Sequence, residues 1–197
     1  RRSLEIGAAV NLAGGSHHAD YAGGAGFCVF NDVAVAALSL LAEARVRKIA
    51  VIDLDVHHGD GTALIFAEDP RVVTASLHCD DNWPRQKPPS NFDLGLARGT
   101  GDAAYLRAAR QLVDETLAWA RPDLVFYNAG VDPHADDRLG RLSLSDDGLR
   151  ARDRLVAKAC ADQRLPVVGV LGGGYSKDAT AVARRHTYLV DALQEIV

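Results

Sequence analysis

Short apolar runs alternate with longer stretches in which apolar residues recur at helical spacing. The apolar runs predict five strands, at 6–12, 48–56, 72–77, 124–129 and 166–171. The intervening stretches predict five helices, at 31–44, 62–67, 102–120, 146–163 and 178–196. Strands that are apolar throughout and alternate with helices are typical of a mainly parallel sheet covered on both faces. The pattern therefore predicts an α/β three-layer sandwich.

Two local features refine this prediction. Asp102 stands at the start of the helix at 102–120 and is its predicted N-cap. The stretch 79–100 contains Pro84, Pro88 and Pro89 and is predicted to be irregular. A loop of that length is usually functional or mobile.

Composition and charge narrow the class of protein. The chain has 197 residues, 48% of them apolar and 24% charged, which predicts one globular domain over 1–197 and excludes a disordered polyelectrolyte. The net charge of −4 and the scattered basic residues give no indication of nucleic-acid binding, and no apolar run predicts a membrane span. Three widely separated cysteines do not form a disulfide framework and favour a reducing, cytoplasmic location.

Polar residues follow the predicted strands at their carboxyl ends, where open α/β sheets bind ligands. These segments are Gly-Gly-Ser-His-His at 14–18, Asp-Leu-Asp-Val-His-His-Gly-Asp at 53–60, Ser-Leu-His at 76–78, Asn-Ala-Gly-Val-Asp at 128–132 and Gly-Gly-Gly-Tyr at 172–175. Five of the seven histidines lie in them. The arrangement predicts one functional edge of the sheet.

Asp53, Asp55 and His57 alternate along a strand end and share one side of it. Asp55 and His57, joined by Asp132 from another strand, predict a metal site with a position open for water. Two carboxylates and one imidazole suit Zn²⁺ and also Fe²⁺. The simpler reading, in which the two aspartates are solvated strand ends, does not account for the whole run at 53–60.

The tandem histidines follow a Gly-Gly turn that can present both imidazoles to a cleft. His17 and His18 are candidates for general base and general acid, with Asp53 and Asp60 available to orient them. The glycines at 172–174 lack the Lys-Ser/Thr of a phosphate loop, so nucleotide binding is not expected. They are better suited to bring the hydroxyl of Tyr175 towards the metal, where it can stabilise an oxyanion.

These motifs occur together in an order that resembles the zinc-dependent histone deacetylase family. The resemblance rests on segments 14–19, 26–32, 53–61, 128–132, 137–140 and 171–175. That family includes bacterial deacetylase-like amidohydrolases, acetylpolyamine amidohydrolases and acetoin-utilisation proteins. The segment 76–79 followed by Trp83-Pro84 is more similar to the bacterial branch than to the nuclear enzymes.

The resemblance implies an arginase-like fold and hydrolysis of an acetyl-lysine side chain or a small acetylated amine. It implies zinc ligands at Asp55, His57 and Asp132, and catalytic roles for His17, His18, Asp53, Asp60 and Tyr175. It further implies a substrate tunnel formed by Gly26, Phe27, Leu139 and Gly173, with Trp83 as the candidate for the opposite wall. A structural potassium ion is implied beside the zinc, with ligands from Asp53, Asp55, His57, Ser76 and Leu77.

Two other functions remain open at this point. An arginase-type hydrolase shares the fold but uses a two-metal cluster and an Asp-Ala-His-x-Asp pattern, which this chain lacks. A non-catalytic module of the same fold is the second alternative. The chain contains no methionine and begins at Arg1, close to the first predicted strand, whereas the resemblance implies a longer N-terminal region. We therefore expect a catalytic domain that is short at its N-terminus relative to the family.

Overall fold

The computed structural model describes residues 1–197 as six strands and six helices. The helices are α1 (Ser3–Ile6), α2 (Asp32–Ala42), α3 (Asp60–Phe66), α4 (Asp102–Ala120), α5 (Asp146–Asp162) and α6 (Ala179–Gln194). The strands are β1 (Ala8–Asn11), β2 (Ile49–Asp53), β3 (Val72–Cys79), β4 (Phe92–Leu96), β5 (Leu124–Asn128) and β6 (Val167–Val170). They form one sheet in the order β1-β6-β5-β2-β3-β4, and every pair is parallel.

Alternation along the central strands divides the core into two layers of side chains. On β2, Ala50 and Ile52 enter the larger apolar cluster, together with residues of α4, α5 and α6. Ile49 and Val51 point the other way, into a smaller cluster with residues of α2. Both faces of β2 are buried along its whole length. The predicted three-layer α/β architecture and the parallel sheet are therefore confirmed.

The start of α2 fixes the loop that follows β1. The side chain of Asn31 caps α2 by accepting a hydrogen bond from the backbone N–H of Ala34. The carboxylate of the next residue, Asp32, accepts hydrogen bonds from the N–H groups of Gly15 and Ser16, at 3.0 and 2.9 Å. The segment that carries the tandem histidines is thus anchored to a helix terminus.

Three local predictions were wrong. The stretch 79–100 contains the edge strand β4, where Phe92, Leu94 and Leu96 pack on the core while the alternate residues are exposed. Its short length and interrupting glycine hid this alternation. The predicted first strand begins two residues later, after the short helix α1. The N-cap of α4 is Gly101, and the Asp102 carboxylate instead accepts hydrogen bonds from Ser145.

The helices differ in length. The longest, α4, has 19 residues and buries one face against β2, β3 and β4. None of the helices combines the length and the apolar composition that crossing a membrane requires.

Candidate active site

Three predicted metal ligands meet at the carboxyl ends of two adjacent strands. Asp55 and His57 follow β2, and Asp132 follows β5. The Nδ1 atom of His57 lies 3.1 Å from Asp55 Oδ1 and 3.1 Å from Asp132 Oδ2. All three side chains are buried. Because β2 and β5 are paired in register up to Asp53 and Asn128, the residues just beyond them converge.

The charges of this group favour a bound cation. Burial, followed by the nearby charge of Asp55, raises the pKa of Asp132 to about 7. Burial opposes protonation of His57, but hydrogen bonds and charge from Asp132 and Asp55 outweigh it and raise its pKa to about 11. Two carboxylates and an imidazole that face one another without solvent form a donor set suited to a divalent ion. The residues present therefore fit the predicted metal.

Each tandem histidine has its own carboxylate partner. His17 Nδ1 lies 2.7 Å from Asp53 Oδ2, and His18 Nδ1 lies 2.6 Å from Asp60 Oδ1. The two imidazole rings are stacked at a tilt, with centroids 3.9 Å apart. These contacts fix the ring orientations. The Nε2 atom of His17 lies 3.8 Å from Asp55 Oδ1, whereas His18 Nε2 has no such carboxylate partner.

The two imidazoles differ electrostatically. Burial lowers the pKa of His17, but the charges of Asp53 and Asp55 reverse this effect and raise it to about 9. For His18, burial is the largest effect and leaves its pKa below the usual value, despite the hydrogen bond to Asp60. At neutral pH the pair therefore consists of a protonated and a neutral imidazole.

A cavity of about 480 Å³ opens above the histidines. It is lined by His18, Gly26, Phe27, His57, Asn82, Trp83, Arg138, Leu139, Arg141 and Tyr175. The indole of Trp83 contacts His18 edge-on, with ring centroids 4.4 Å apart. Of the predicted tunnel residues, Gly26, Phe27, Trp83 and Leu139 line this cavity.

Gly173 is placed differently from the other predicted tunnel residues. Its N–H donates a hydrogen bond to Asp55 Oδ2 at 2.7 Å. A Cβ atom at this position would collide with Asp132 Oδ2 and lie 2.9 Å from Asp55 Oδ2. Gly173 therefore lies against the metal ligands rather than in the wall of the cavity. Here glycine allows the backbone to approach the carboxylate pair.

Tyr175 lines the same cavity and is held through its backbone. Its N–H donates to Asp137 Oδ2 at 2.6 Å, and its carbonyl accepts from Arg138 Nε at 2.8 Å. Its ring centroid lies 6.1 Å from that of His57. Burial, reinforced by the charges of Asp55 and Asp132, raises the pKa of the Tyr175 hydroxyl. The hydroxyl therefore keeps its proton at neutral pH and can donate a hydrogen bond.

The predicted potassium ligands lie next to the metal group. Asp53 and Ser76 are opposite each other in the β2–β3 register, and both are buried, as is Leu77. Asp53 Oδ1 already accepts hydrogen bonds from the Asp55 N–H and from Asn128 Nδ2. Carboxylate and hydroxyl oxygens at this position are compatible with a hard cation.

A second group of possible ligands was not predicted. His58, His78 and Asp93 have ligand atoms within 4.8 Å of one another. His58 Nε2 lies 3.1 Å from Asp93 Oδ1, and His78 Nδ1 lies 3.0 Å from Ser76 Oγ. The sequence did not indicate this group because Asp93 comes from β4, the strand that was not predicted.

Arg152 is a further residue that the sequence analysis missed. It is fully buried on α5, and its guanidinium donates to the carbonyls of Gly130, Leu54 and Ala129 at 2.5, 3.3 and 3.3 Å. It also forms an ion pair with Asp153 at 2.8 Å. The signal in the sequence was an arginine spaced three residues from Leu149 and from Leu155, on the apolar face of the helix.

Comparison with known proteins identifies the family. The model of the histone deacetylase domain matches residues 2–193. The chain belongs to this family. It is 45% identical over 194 residues to an uncharacterised protein of Picosynechococcus sp., and 32% identical over 183 residues to histone deacetylase 2 of Arabidopsis thaliana. It is also 36% identical over 166 residues to a histone deacetylase-like amidohydrolase of Pseudomonas aeruginosa.

These alignments cover most of this chain but less of its relatives. They include 98%, 91% and 77% of this histone deacetylase-family chain. The corresponding shares of the three relatives are 65%, 47% and 43%. The predicted family and fold class are confirmed, whereas the roles of individual residues and the extent of the catalytic domain stay predictions.

Proposed function

We propose that this chain is the catalytic domain of a metal-dependent amidohydrolase that removes an acetyl group from an acetylated amine. The substrate would be an acetyl-lysine side chain or a small acetylated amine. One observation carries the proposal: a group of candidate metal ligands and two carboxylate-paired histidines lie together, and His57, His18 and Tyr175 from this site line one cavity. Their membership of a histone deacetylase domain supports the same reaction class.

Asp55, His57 and Asp132 would hold the metal, with zinc as the first candidate and Fe²⁺ as the second. When bound, the ion supplies Lewis acidity, which polarises an amide carbonyl and lowers the pKa of water. The Gly173 N–H donates to Asp55, and the Val56 N–H donates to Asp132 Oδ1 at 2.9 Å. These hydrogen bonds orient the two carboxylates before a ligand arrives.

His18 is the proposed general base. Its pKa is held below the usual value, so it is neutral and able to accept a proton from the attacking water at Nε2. The hydrogen bond from Nδ1 to Asp60 stabilises the imidazolium that forms, and this imidazolium then protonates the leaving amine. Despite burial, the charges of Asp53 and Asp55 raise the pKa of His17 to about 9 in the absence of a metal ion, and His17 is the proposed source of positive charge beside the reacting carbonyl.

Tyr175 is the proposed oxyanion donor. Because its hydroxyl keeps its proton, it can donate a hydrogen bond to the carbonyl oxygen as negative charge develops there. Phe27 and Trp83, with Leu139, provide flat apolar walls for the slim aliphatic part of the substrate. The proposal includes a structural potassium ion bound by Asp53, Asp55, His57, Ser76 and Leu77. It also includes a cytoplasmic location, which is supported by the three cysteines being free thiols.

Acetate release tests the proposal directly. We expect the metal-loaded protein to release acetate from an acetyl-lysine peptide, to lose this activity on chelation and to regain it when zinc or Fe²⁺ is added. Urea release from arginine, with two bound metal ions at the Asp55–His57–Asp132 group, would indicate an arginase-type enzyme instead. Metal-dependent binding of the peptide with no turnover would indicate a non-catalytic module.

A further inference from the structure

Two arginines lie at the mouth of the cavity that leads to His57 and Tyr175. Arg138 and Arg141 both line it, beside the tunnel residue Leu139. Neither is buried. Nothing in the proposed chemistry uses them, although they are the charged groups that a substrate would meet first.

The charge of Arg138 is not matched by an ion pair. Its Nε donates to the carbonyl of Tyr175 at 2.8 Å, which fixes the guanidinium plane. The neighbouring carboxylate of Asp137 accepts instead from the backbone N–H groups of Leu139, Gly140 and Tyr175. The two terminal nitrogens of Arg138 are therefore free to bind an anion.

Arg141 shares its only acidic partner with another arginine. Asp81 Oδ2 lies 3.3 Å from Arg141 Nη1 and 3.1 Å from Arg98 Nη2. One carboxylate therefore faces two guanidinium groups. Together with Arg138, Arg141 gives the cavity lining two guanidinium groups and no carboxylate, in a chain whose net charge is −4.

We infer that this mouth binds a carboxylate of the substrate. The inference rests on the proposed function. A guanidinium presents paired donors that match carboxylate geometry. A lysine side chain that fills the tunnel brings its own backbone to the mouth, so the carboxylate comes either from the α-carboxylate of a free acetylated amino acid or from an acidic neighbour in a peptide. The same charge disfavours acetylated polyamines, which are cations.

The test compares acetyl-lysine peptides that differ only in the residues flanking the lysine, which are Glu, Gln or Lys. We expect kcat/KM to be about 10-fold higher with Glu than with Lys, and the ratio to shrink in high salt. Arg141→Gln should reduce the ratio to about 3-fold, and the double variant with Arg138→Gln should bring it close to one. Loss of the Arg138–Tyr175 contact lowers turnover with every peptide alike, so the ratio still reports on charge.

Arg47→Gln is the matched control. Arg47 is an exposed arginine before the first residue of β2, whereas the site follows the last residue of that strand. It should leave the ratio unchanged. A comparison of kcat/KM for free Nε-acetyl-lysine and for its carboxamide separates the two sources of the carboxylate. The two compounds should differ only if the mouth binds the α-carboxylate of a free acetylated amino acid.

Fluorescence anisotropy of labelled peptides, measured on the zinc-loaded protein, gives the corresponding ratio of Kd values without turnover. If no peptide is hydrolysed but the Glu peptide binds more tightly, the proposed function fails and the anion site stands. Equal binding or equal kcat/KM for all three peptides, with no preference for the free carboxylate of acetyl-lysine, overturns the inference.

Discussion

At the scale of single residues, His17 and His18 have the same side chain but different pKa values, because their surroundings differ. His17 faces the carboxylates of Asp53 and Asp55, which hold it protonated. His18 pairs with the less buried Asp60 and adjoins Trp83, so the cost of burying its charge dominates. The pKa values of two adjacent histidines therefore shift in opposite directions because of their three-dimensional contacts.

Tyr175→Phe tests the proposed oxyanion donor. The variant removes one hydroxyl from the cavity and leaves Asp55, His57 and Asp132 untouched. We expect metal affinity to stay the same while the rate of acetate release falls about 100-fold or more, because one preorganised donor is lost. Metal titration and acetate assays measure the two quantities separately. Undiminished deacetylation would show that Tyr175 has another role.

Gly173→Ala tests the close approach of the backbone to the metal ligands. The added Cβ would collide with Asp132 Oδ2, so the carboxylate pair must move. We expect at least about 10-fold weaker zinc binding in a chelator competition, with a folded circular dichroism spectrum. Gly23→Ala is the control, because a Cβ there meets nothing within 4 Å. Equal zinc affinities for both variants would contradict this placement of Gly173.

At the scale of elements, α5 connects the core to the site. The β2–β5 pairing ends at Asp53 and Asn128, so the carbonyls that follow have no partner in the sheet. The guanidinium of Arg152, on α5, donates hydrogen bonds to three of these carbonyls, those of Leu54, Ala129 and Gly130. Leu54 directly precedes Asp55, and Gly130 and Ala129 lie two and three positions before Asp132, so the arginine fixes the backbone from which these carboxylates project.

Arg152→Lys should therefore weaken metal binding. A lysine keeps the charge but cannot reach three carbonyls with a planar fork of donors. We expect zinc affinity to fall about 10- to 100-fold by chelator competition, as is usual when groups that orient metal ligands are removed. Arg154→Lys, on the exposed side of the same helix, is the control. Should Arg152→Lys fail to fold, Tyr105→Phe removes a single hydrogen bond to the Leu54 carbonyl and gives a milder test.

Burial of the strands explains which elements could be predicted from the sequence and which could not. Buried strands such as β2 and β5 are continuous apolar runs. Their starts were predicted to within one residue, and their predicted ends lie three residues and one residue too late. The edge strand β4 is half-exposed and follows a proline-rich loop, so its local pattern is weak. It forms because β3 offers an unpaired edge, which is a tertiary effect.

At the scale of the whole molecule, metal binding should contribute to stability. Without a cation, Asp55 and Asp132 are two buried carboxylates in contact with one imidazole. Zinc at about 100 times its Kd should stabilise the fold by about 2.7 kcal/mol, because it binds only the folded state. Thermal unfolding with zinc and with chelator measures the difference. Asp132→Asn should show little zinc-dependent shift, and an equal shift in that variant would place the ion elsewhere.

Acid should destabilise the protein through buried neutral histidines. Burial, with repulsion from His58, lowers the pKa of His78 from 6.5 to about 4. Between these values the unfolded chain binds a proton that the folded chain does not, so stability falls as the pH decreases through this window and levels off below it. Urea unfolding from pH 7 to 4 should show a shallower loss in His78→Gln. An unchanged slope would mean that His78 does not titrate in this way.

The sequence by itself determined the family, the α/β class and the residue types at the sheet edge, because these depend on local periodicity and on motifs of adjacent residues. It also indicated which strands would carry Asp55 and Asp132, since parallel strands place their carboxyl ends together. The tertiary structure alone decided the strand order, the edge strand β4, the contacts of Arg152 with three carbonyls and the position of Arg138 and Arg141 at the cavity mouth. Each of these depends on contacts between residues far apart in the chain, and no local pattern records which distant groups will share a carbonyl or a carboxylate.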